Sequence, residues 1–275
     1  MPPKIAVCLI AKNSEQTIGE CIKSLRGVSY VVLTDTGSTD RTAQIAAKAA
    51  KQIHAQLILS HFKWVDDFAA ARNYNFSTVP KDAEWLLWTD SDDVVEGWDK
   101  VQGIIAKTSP QFGCIWFPYL YATDEYGNAT TIFIRERLLR ASVGWKWQSR
   151  VHETVAPQSK TEFIRSDEIV IRHNHRGSES RSERNFKLLN LMLQDSPENH
   201  RVWLYMGHQN FADGSWREAA HWYLRFSSDG SDSTPPIERY QALTYAAKAL
   251  RTIGQYKQAV DCDLAAVDLF PHWSD

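Results

Sequence analysis

Residues 5–10 (I-A-V-C-L-I) form an unbroken apolar run of strand length, and a second run, residues 30–34 (Y-V-V-L-T), follows after a stretch with helical spacing. A strand without polar alternation is buried on both faces, which in water requires helices on either side of a parallel sheet. No other feature constrains the fold as much. Between the two runs, Ile18, Cys21, Ile22 and Leu25 recur at helical spacing, with Asn13 or Ser14 placed to cap the helix. Ser38 or Thr39 caps the next helix, which carries Ile45 and Ala49. Residues 57–60 read as a third strand and 85–89 as a fourth. Strand, helix, strand at this spacing gives right-handed crossovers in one sheet.

Ligands of such sheets bind beyond the carboxyl ends of the strands. The polar residues there are Lys12 and Asn13, then Asp35, Thr36, Gly37 and Ser38, then Asp90, Ser91, Asp92 and Asp93. Together they outline one cleft. The last group closes the segment W-L-L-W-T-D-S-D-D. Several carboxylates at the end of a buried strand repel one another unless a positive charge sits among them. Oxygen-rich ligand sets suit Mg²⁺ or Mn²⁺, which bridge phosphates.

The net charge of −2 gives no general reason to expect nucleic acid or an anionic membrane as partner. Cys8, Cys21, Cys114 and Cys262 form no C-x-x-C pair, so a reducing compartment is the expectation. The N-terminal apolar run is too short for a signal-peptide core or a bilayer span, so the chain reads as cytoplasmic with no membrane span. The 11 tryptophans exceed what core packing alone asks for and supply candidate stacking platforms.

From about Ser178 the rhythm is helical only. Residues 214–219 (G-S-W-R-E-A) are echoed forty positions later by residues 254–259 (G-Q-Y-K-Q-A), with Tyr205 and Tyr245 in matching places upstream. The pattern resembles tetratricopeptide repeats, whose period is about 34 residues, and the polar loop of residues 227–236 absorbs the extra length. The expected organisation is an α/β domain over 1–177 and a small all-α helical domain over 178–275. Self-association through the C-terminal helices is a further expectation.

Four ordered segments, I-A-V-C-L-I-A-K-N, V-L-T-D-T-G-S-T-D-R-T, F-K-W-V-D-D-F-A-A-A-R-N and W-L-L-W-T-D-S-D-D, resemble the family-two glycosyltransferases of the GT-A fold. More narrowly, the chain is similar to the bacterial and phage subgroup with tetratricopeptide-like helices behind the catalytic domain. The resemblance implies a Rossmann-like, mostly parallel sheet and a D-x-D motif at residues 90–92. It implies that Asp35 contacts the nucleoside and that the backbone of Ala11, Lys12 and Asn13 lines the base pocket. Asp90 would face the ribose or a metal-bound water, Ser91 would lie in the nucleotide-sugar site, and Asp92 would ligate the metal, with Asp93 shaping the loop. Arg72 resembles the basic residue near the diphosphate, where a guanidinium fork suits phosphate oxygens.

The segment of residues 145–153 (W-K-W-Q-S-R-V-H-E) resembles the subgroup's V-H-E element. Inverting transfer needs a base on the face of the sugar opposite the leaving group. Glu153 is assigned that role, with His152 as metal ligand, diphosphate contact or orienter, and Trp145 and Trp147 stacking on donor or acceptor sugar. Residues 169–177 resemble a strand running into a His-x-Gly segment, although His175 stands where that pattern has Gly. His173 is the favoured third metal ligand beside Asp92 and Asp90. The arginines of residues 181–185 read as interdomain pairs.

The expected activity is metal-dependent, inverting transfer from a nucleotide-sugar, foremost a UDP-sugar, to a glycan, a protein or a modified nucleobase. The alternative is a catalytically silent nucleotide-sugar scaffold whose helices recruit partners; intact Asp35, Asp90, Asp92 and Glu153 argue against it. A nucleotidyltransferase would need a Gly-rich loop after the first strand, where this chain has Ala11, Lys12 and Asn13, and no P-loop motif is present.

Overall fold

A computed structural model describes residues 2–174, 181–228 and 234–270. The chain divides into two compact units, Met1–Gly177 and Ser178–Asp275.

In the first unit β1 (Ile5–Ala11), β2 (Tyr30–Asp35), β3 (Gln56–His61) and β4 (Trp85–Trp88) pair in parallel in the order β3-β2-β1-β4. Helices α1 (Ile18–Lys23), α2 (Thr42–Gln52) and α3 (Phe68–Ser77) make the crossovers. Alternate residues of β1 serve opposite layers, as a pleated strand requires. Ile5, Val7 and Leu9 pack with Ile18, Ile22 and Ala46 of α1 and α2, whereas Ala6 and Cys8 pack with Val32, Ala69 and Trp147.

Beyond β4 the sheet becomes mixed. It continues through β5 (Asp93–Glu96), α4 (Val101–Lys107), β6 (Phe112–Thr123) and β7 (Ala129–Arg140). A separate two-stranded sheet, β8 (Trp145–Gln148) with β9 (Thr154–Pro157), precedes β10 (Glu162–Arg165) and β11 (Val170–His173). Among the described residues the main sheet has nine strands, with β7 antiparallel to both β4 and β6. Strand β11 lies between β6 and β5, so His173 pairs across from Asp93.

Two helix starts differ from the sequence expectation. Helix α1 begins at Ile18 rather than after Asn13 or Ser14, and α2 begins at Thr42 rather than after Ser38 or Thr39. The small polar residues are committed elsewhere. Asn13, with φ 51°, accepts from the Thr39 backbone N–H, and Asp40 accepts from that of Glu15 (3.1 Å). These side chains tie two strand-end loops together instead of capping helices.

In the second unit the described residues form α5 (Arg181–Asp195), α6 (His200–Ala212), α7 (Trp216–Ser227), α8 (Pro236–Thr252) and α9 (Tyr256–Leu269). Gly214 and Gly254 turn the α6–α7 and α8–α9 pairs with positive φ, which explains the repeated glycine. Ala219, Ala246, Ala247 and Ala259 let the helices approach around Tyr223 and Phe226. Helix α9 leaves Tyr256, Val260, Leu264 and Val267 exposed along one face. Among the described residues no helix is long and apolar enough to cross a membrane.

Candidate functional site

The three loops at the carboxyl ends of β1, β2 and β4 are sewn to one another. The Thr36 backbone N–H donates to the Ala11 carbonyl (2.9 Å), and that of Asn13 donates to Ser38 Oγ (3.0 Å). Ser14 Oγ meets Ser91 Oγ at 2.8 Å. Asp35, buried at the end of β2, accepts from the backbone N–H groups of Gly37 (2.8 Å) and Ser38 (2.7 Å). Its carboxylate shapes the second loop, while Lys12 projects exposed from the first.

Arg72 comes to this point from α3 and is the link between distant segments. Its Nη2 donates to Asp90 (2.6 Å) and its Nε to Glu153 (2.7 Å). The guanidinium lies 5.2 Å from the ring centre of Trp88 and 4.9 Å from that of Trp147, within cation–π range of both. Burial works against its charge, but the two carboxylates more than offset burial and raise its pKa further. Burial pushes Asp90 up, yet Arg72, with Arg137 behind it, prevails and holds the carboxyl at about 2. Two edges of the Arg72 guanidinium are thus engaged by carboxylates and its faces by two indoles.

Asp93 has no exposed surface. It accepts from Thr89 Oγ1 (3.0 Å), the Asp90 backbone N–H (3.1 Å), Tyr119 OH (3.1 Å) and Arg137 Nη1 (3.3 Å). Arg137 is likewise buried and stacks 3.7 Å over Trp88 and 4.3 Å over Tyr119. His173 Nδ1 lies 3.2 Å from Asp93 Oδ1 and 3.7 Å from Asp92 Oδ1. Desolvation lowers the imidazole's pKa, but the hydrogen bond it donates to Asp93 and the charges of Asp92 and Asp93 prevail and raise it.

Ligand atoms of Asp92, Asp93 and His173 all fall within 4.8 Å of one another. Two carboxylates and an imidazole are a donor set that fits Mg²⁺ or Mn²⁺. The sequence had grouped Asp90, not Asp93, with Asp92 and His173; the structure turns Asp90 toward Arg72 instead. The Asn174 backbone N–H, bonded to the Asp92 carbonyl (2.9 Å), fastens the end of β11 to this loop. His175, Arg176 and Gly177 lie outside the described residues.

The pattern of Glycosyl transferase family 2 matches residues 6–175. The chain belongs to that family. A TPR repeat-containing protein of Synechococcus elongatus is 25% identical over 280 residues, covering 96% of this chain and 66% of its own length. S. aureus TarS is 16% identical with a TM-score of 0.48, covering 96% of this chain and 54% of that one. Glucosyl-3-phosphoglycerate synthase from Mycobacterium tuberculosis, solved with Mg²⁺ and uridine diphosphate, is 20% identical with a TM-score of 0.34, over 42% of this chain and 44% of that one. The chain therefore spans about two thirds of the first relative and about half of TarS.

Within the family-two domain, Glu153 and His152 sit on a strained loop in which Ser149 and His152 both adopt positive φ. The loop is held to the start of α3, where the Phe68 backbone N–H donates to the Arg150 carbonyl (2.9 Å). Trp145 is half-buried and donates to the Arg140 carbonyl (2.9 Å). Trp147, expected to stack on a sugar, is instead 2% exposed. Its ring is packed edge-on against Trp88 and Phe76, so it supports the site from within the core. Sequence reasoning missed Tyr119, Tyr121 and Arg137. They come from the β6–β7 hairpin and carry no local motif; only the R-E-R triplet at residues 135–137, inside a strand, hinted at buried charge.

Proposed function

We propose that this chain transfers a sugar from a nucleotide-sugar, foremost a UDP-sugar, to a nucleophile on a glycan, a protein or a modified nucleobase, inverting the anomeric centre. The observation carrying this is the Asp90–Arg72–Glu153 bridge, which joins the acidic strand-end loop to a carboxylate 81 positions from Arg72 in sequence. Family membership supports the same reading.

In this reading Asp35 and the backbone of Ala11, Lys12 and Asn13 receive the nucleoside, and Ser91 lies along the diphosphate. Asp92, Asp93 and His173 would hold Mn²⁺ or Mg²⁺, the donor set whose ligand atoms lie within 4.8 Å of one another. The ion, when bound, supplies positive charge against the leaving diphosphate. The acceptor oxygen forms a bond to the anomeric carbon as the bond from that carbon to the phosphate oxygen breaks. The electron pair leaves with the nucleoside diphosphate, and the acceptor proton passes to Glu153. Arg72 holds the Glu153 carboxylate in place alongside Asp90. Trp145, at the edge of β8, stands near enough in sequence to this loop to border a sugar.

The test is nucleoside diphosphate release from UDP-, GDP-, CMP- and TDP-sugars with Mn²⁺. UDP-sugars are expected to turn over, and Asp92→Ala to lower the rate by roughly a thousandfold while circular dichroism stays unchanged. A fully active Asp92→Ala protein would remove the metal assignment.

A further inference from the structure

The hairpin face that carries Tyr119 and Arg137 into the acidic loop does not end there. Phe133 pairs with Tyr119 across the two strands, and Arg135 and Arg137 both stack over Trp88 from β7. Residues two apart on a strand share a face. Traced outward by ring and cation contacts across the two register shifts, the row runs from buried Arg137 and Tyr119 to Arg135, and then to Tyr121 and Phe133, which are 43% and 46% exposed. Tyr121 and Phe133 touch ring to ring at 5.6 Å, so they make one platform.

The platform is continuous with the site. The Tyr121 ring lies parallel to the His173 imidazole, 5.3 Å away and tilted by 5°. At its inner edge stands the Arg135–Glu136 ion pair (3.2 Å). At its outer end the hairpin closes in a tight turn, in which Asp124 accepts from the backbone N–H groups of Tyr126 (2.9 Å) and Asn128 (2.7 Å). That turn holds Tyr126 out, 81% exposed. Exposed aromatic rings gathered beside a polar cleft mark a surface built for contact.

The chemistry of the row selects the occupant. A pyranose ring has one face of C–H groups and a rim of hydroxyls. The first packs on tyrosine and phenylalanine rings, and the second finds hydrogen-bond partners in Arg135 and the Tyr121 hydroxyl. An apolar chain would cover the Tyr121 hydroxyl and the Arg135 guanidinium without offering either a hydrogen bond. We propose that the Tyr121–Phe133 face is the acceptor subsite, and that the acceptor is a carbohydrate whose terminal ring lies on it with the reactive hydroxyl toward the acidic loop. This rests on the transferase reading above. It makes Phe133 a specificity residue and Tyr121 both a contact and a positioning residue for His173.

The experiment uses the full chain with methyl α- and β-glycosides of glucose, galactose, mannose and N-acetylglucosamine as probes. Binding is read by saturation-transfer NMR, and transfer against donor hydrolysis by product analysis with the active UDP-sugar. At least one glycoside is expected to bind, and Phe133→Ala to weaken that binding and lower the ratio of transfer to hydrolysis by about tenfold, the scale of one lost ring contact. Ile132→Ala, on the opposite face of β7, should change neither, and Phe133→Trp should restore binding. Equal binding to wild type and Phe133→Ala overturns the proposal, as does the absence of binding by every glycoside. Phe133-dependent sedimentation with phosphatidylglycerol vesicles in place of glycoside binding would also overturn it, in favour of a membrane surface. The NMR arm needs no turnover. A failed platform with intact UDP release is thus distinct from a failed transferase reading, in which no donor is hydrolysed.

Discussion

The two units of this chain bury very different things. The α/β unit hides Asp35, Arg72, Asn75, Thr89, Asp93, Glu136 and Arg137, gathered around the carboxyl ends of β1, β2 and β4. The described core of the helical unit is alanine packed around Tyr223 and Phe226, and its buried polar residues among those described are Asn210, Ser227 and Thr234. Burying charge costs free energy that a hydrophobic core of similar volume would not. The helical unit folds without that cost, so the buried charges of the first unit call for another explanation, and a reaction centre supplies it.

The contrast can be broken most sharply at Asp93. Asp93→Asn leaves Arg137 buried without its carboxylate, and urea unfolding should show a loss of ~3–5 kcal/mol. Adding Arg137→Met should return most of it. A loss below about 1 kcal/mol would place the pair with exposed salt bridges and dissolve the contrast.

Arg72→Lys keeps the charge but cannot span Asp90 and Glu153 while stacking between two indoles. Donor turnover should fall by roughly a hundredfold, the scale of a misplaced acid–base group, with a modest change in stability. A stability loss that matches the activity loss would make Arg72 a core residue first.

The helical unit supplies the opposite case. A Cβ on Gly207 would meet the Tyr223 ring at 2.7 Å. Gly207→Ala should therefore destabilise that unit by about 1–3 kcal/mol, read by thermal unfolding. UDP release from donor alone should stay at the wild-type rate.

The smallest effect concerns acid. The Asp90 carboxyl is held at about 2 in the folded protein, below its unfolded value of about 3.9. Its contribution is present above the unfolded value and is lost as pH falls through the folded one. Asp90→Asn should flatten the fall in melting temperature of the metal-free protein between about pH 4 and about pH 2. An unchanged slope would assign acid sensitivity elsewhere.

The strands and the loops that follow them were legible because a doubly covered parallel strand has no other way to be written, and because function collects at its end. Asp35, Asp90, Asp92, Glu153 and His173 were singled out by that logic together with family resemblance, and the structure brings Asp90 and Glu153 together on Arg72 and sets Asp92 beside His173. The position of Asp93 within the acidic run hid its role, since adjacent carboxylates look alike in sequence. Only the fold shows that β5 begins there and turns Asp93 inward onto Arg137. Trp147 was misread for a related reason. A tryptophan in a strand signals a large ring but not which side of the sheet receives it, and Phe76 and Trp88 receive this one. The hairpin aromatics were invisible because their face is set by pairing across β6 and β7, with irregular register between Leu120 and Ala122.

The proposed role of the acidic loop, completed by β11, is to take a divalent ion together with a nucleoside diphosphate. Calorimetric titration of UDP, with and without Mn²⁺, into wild-type and Asp92→Ala protein tests it most directly. Mn²⁺ is expected to tighten UDP binding by at least about tenfold, and Asp92→Ala to abolish that gain. UDP binding that is equally tight without Mn²⁺, or a gain that survives Asp92→Ala, would contradict it.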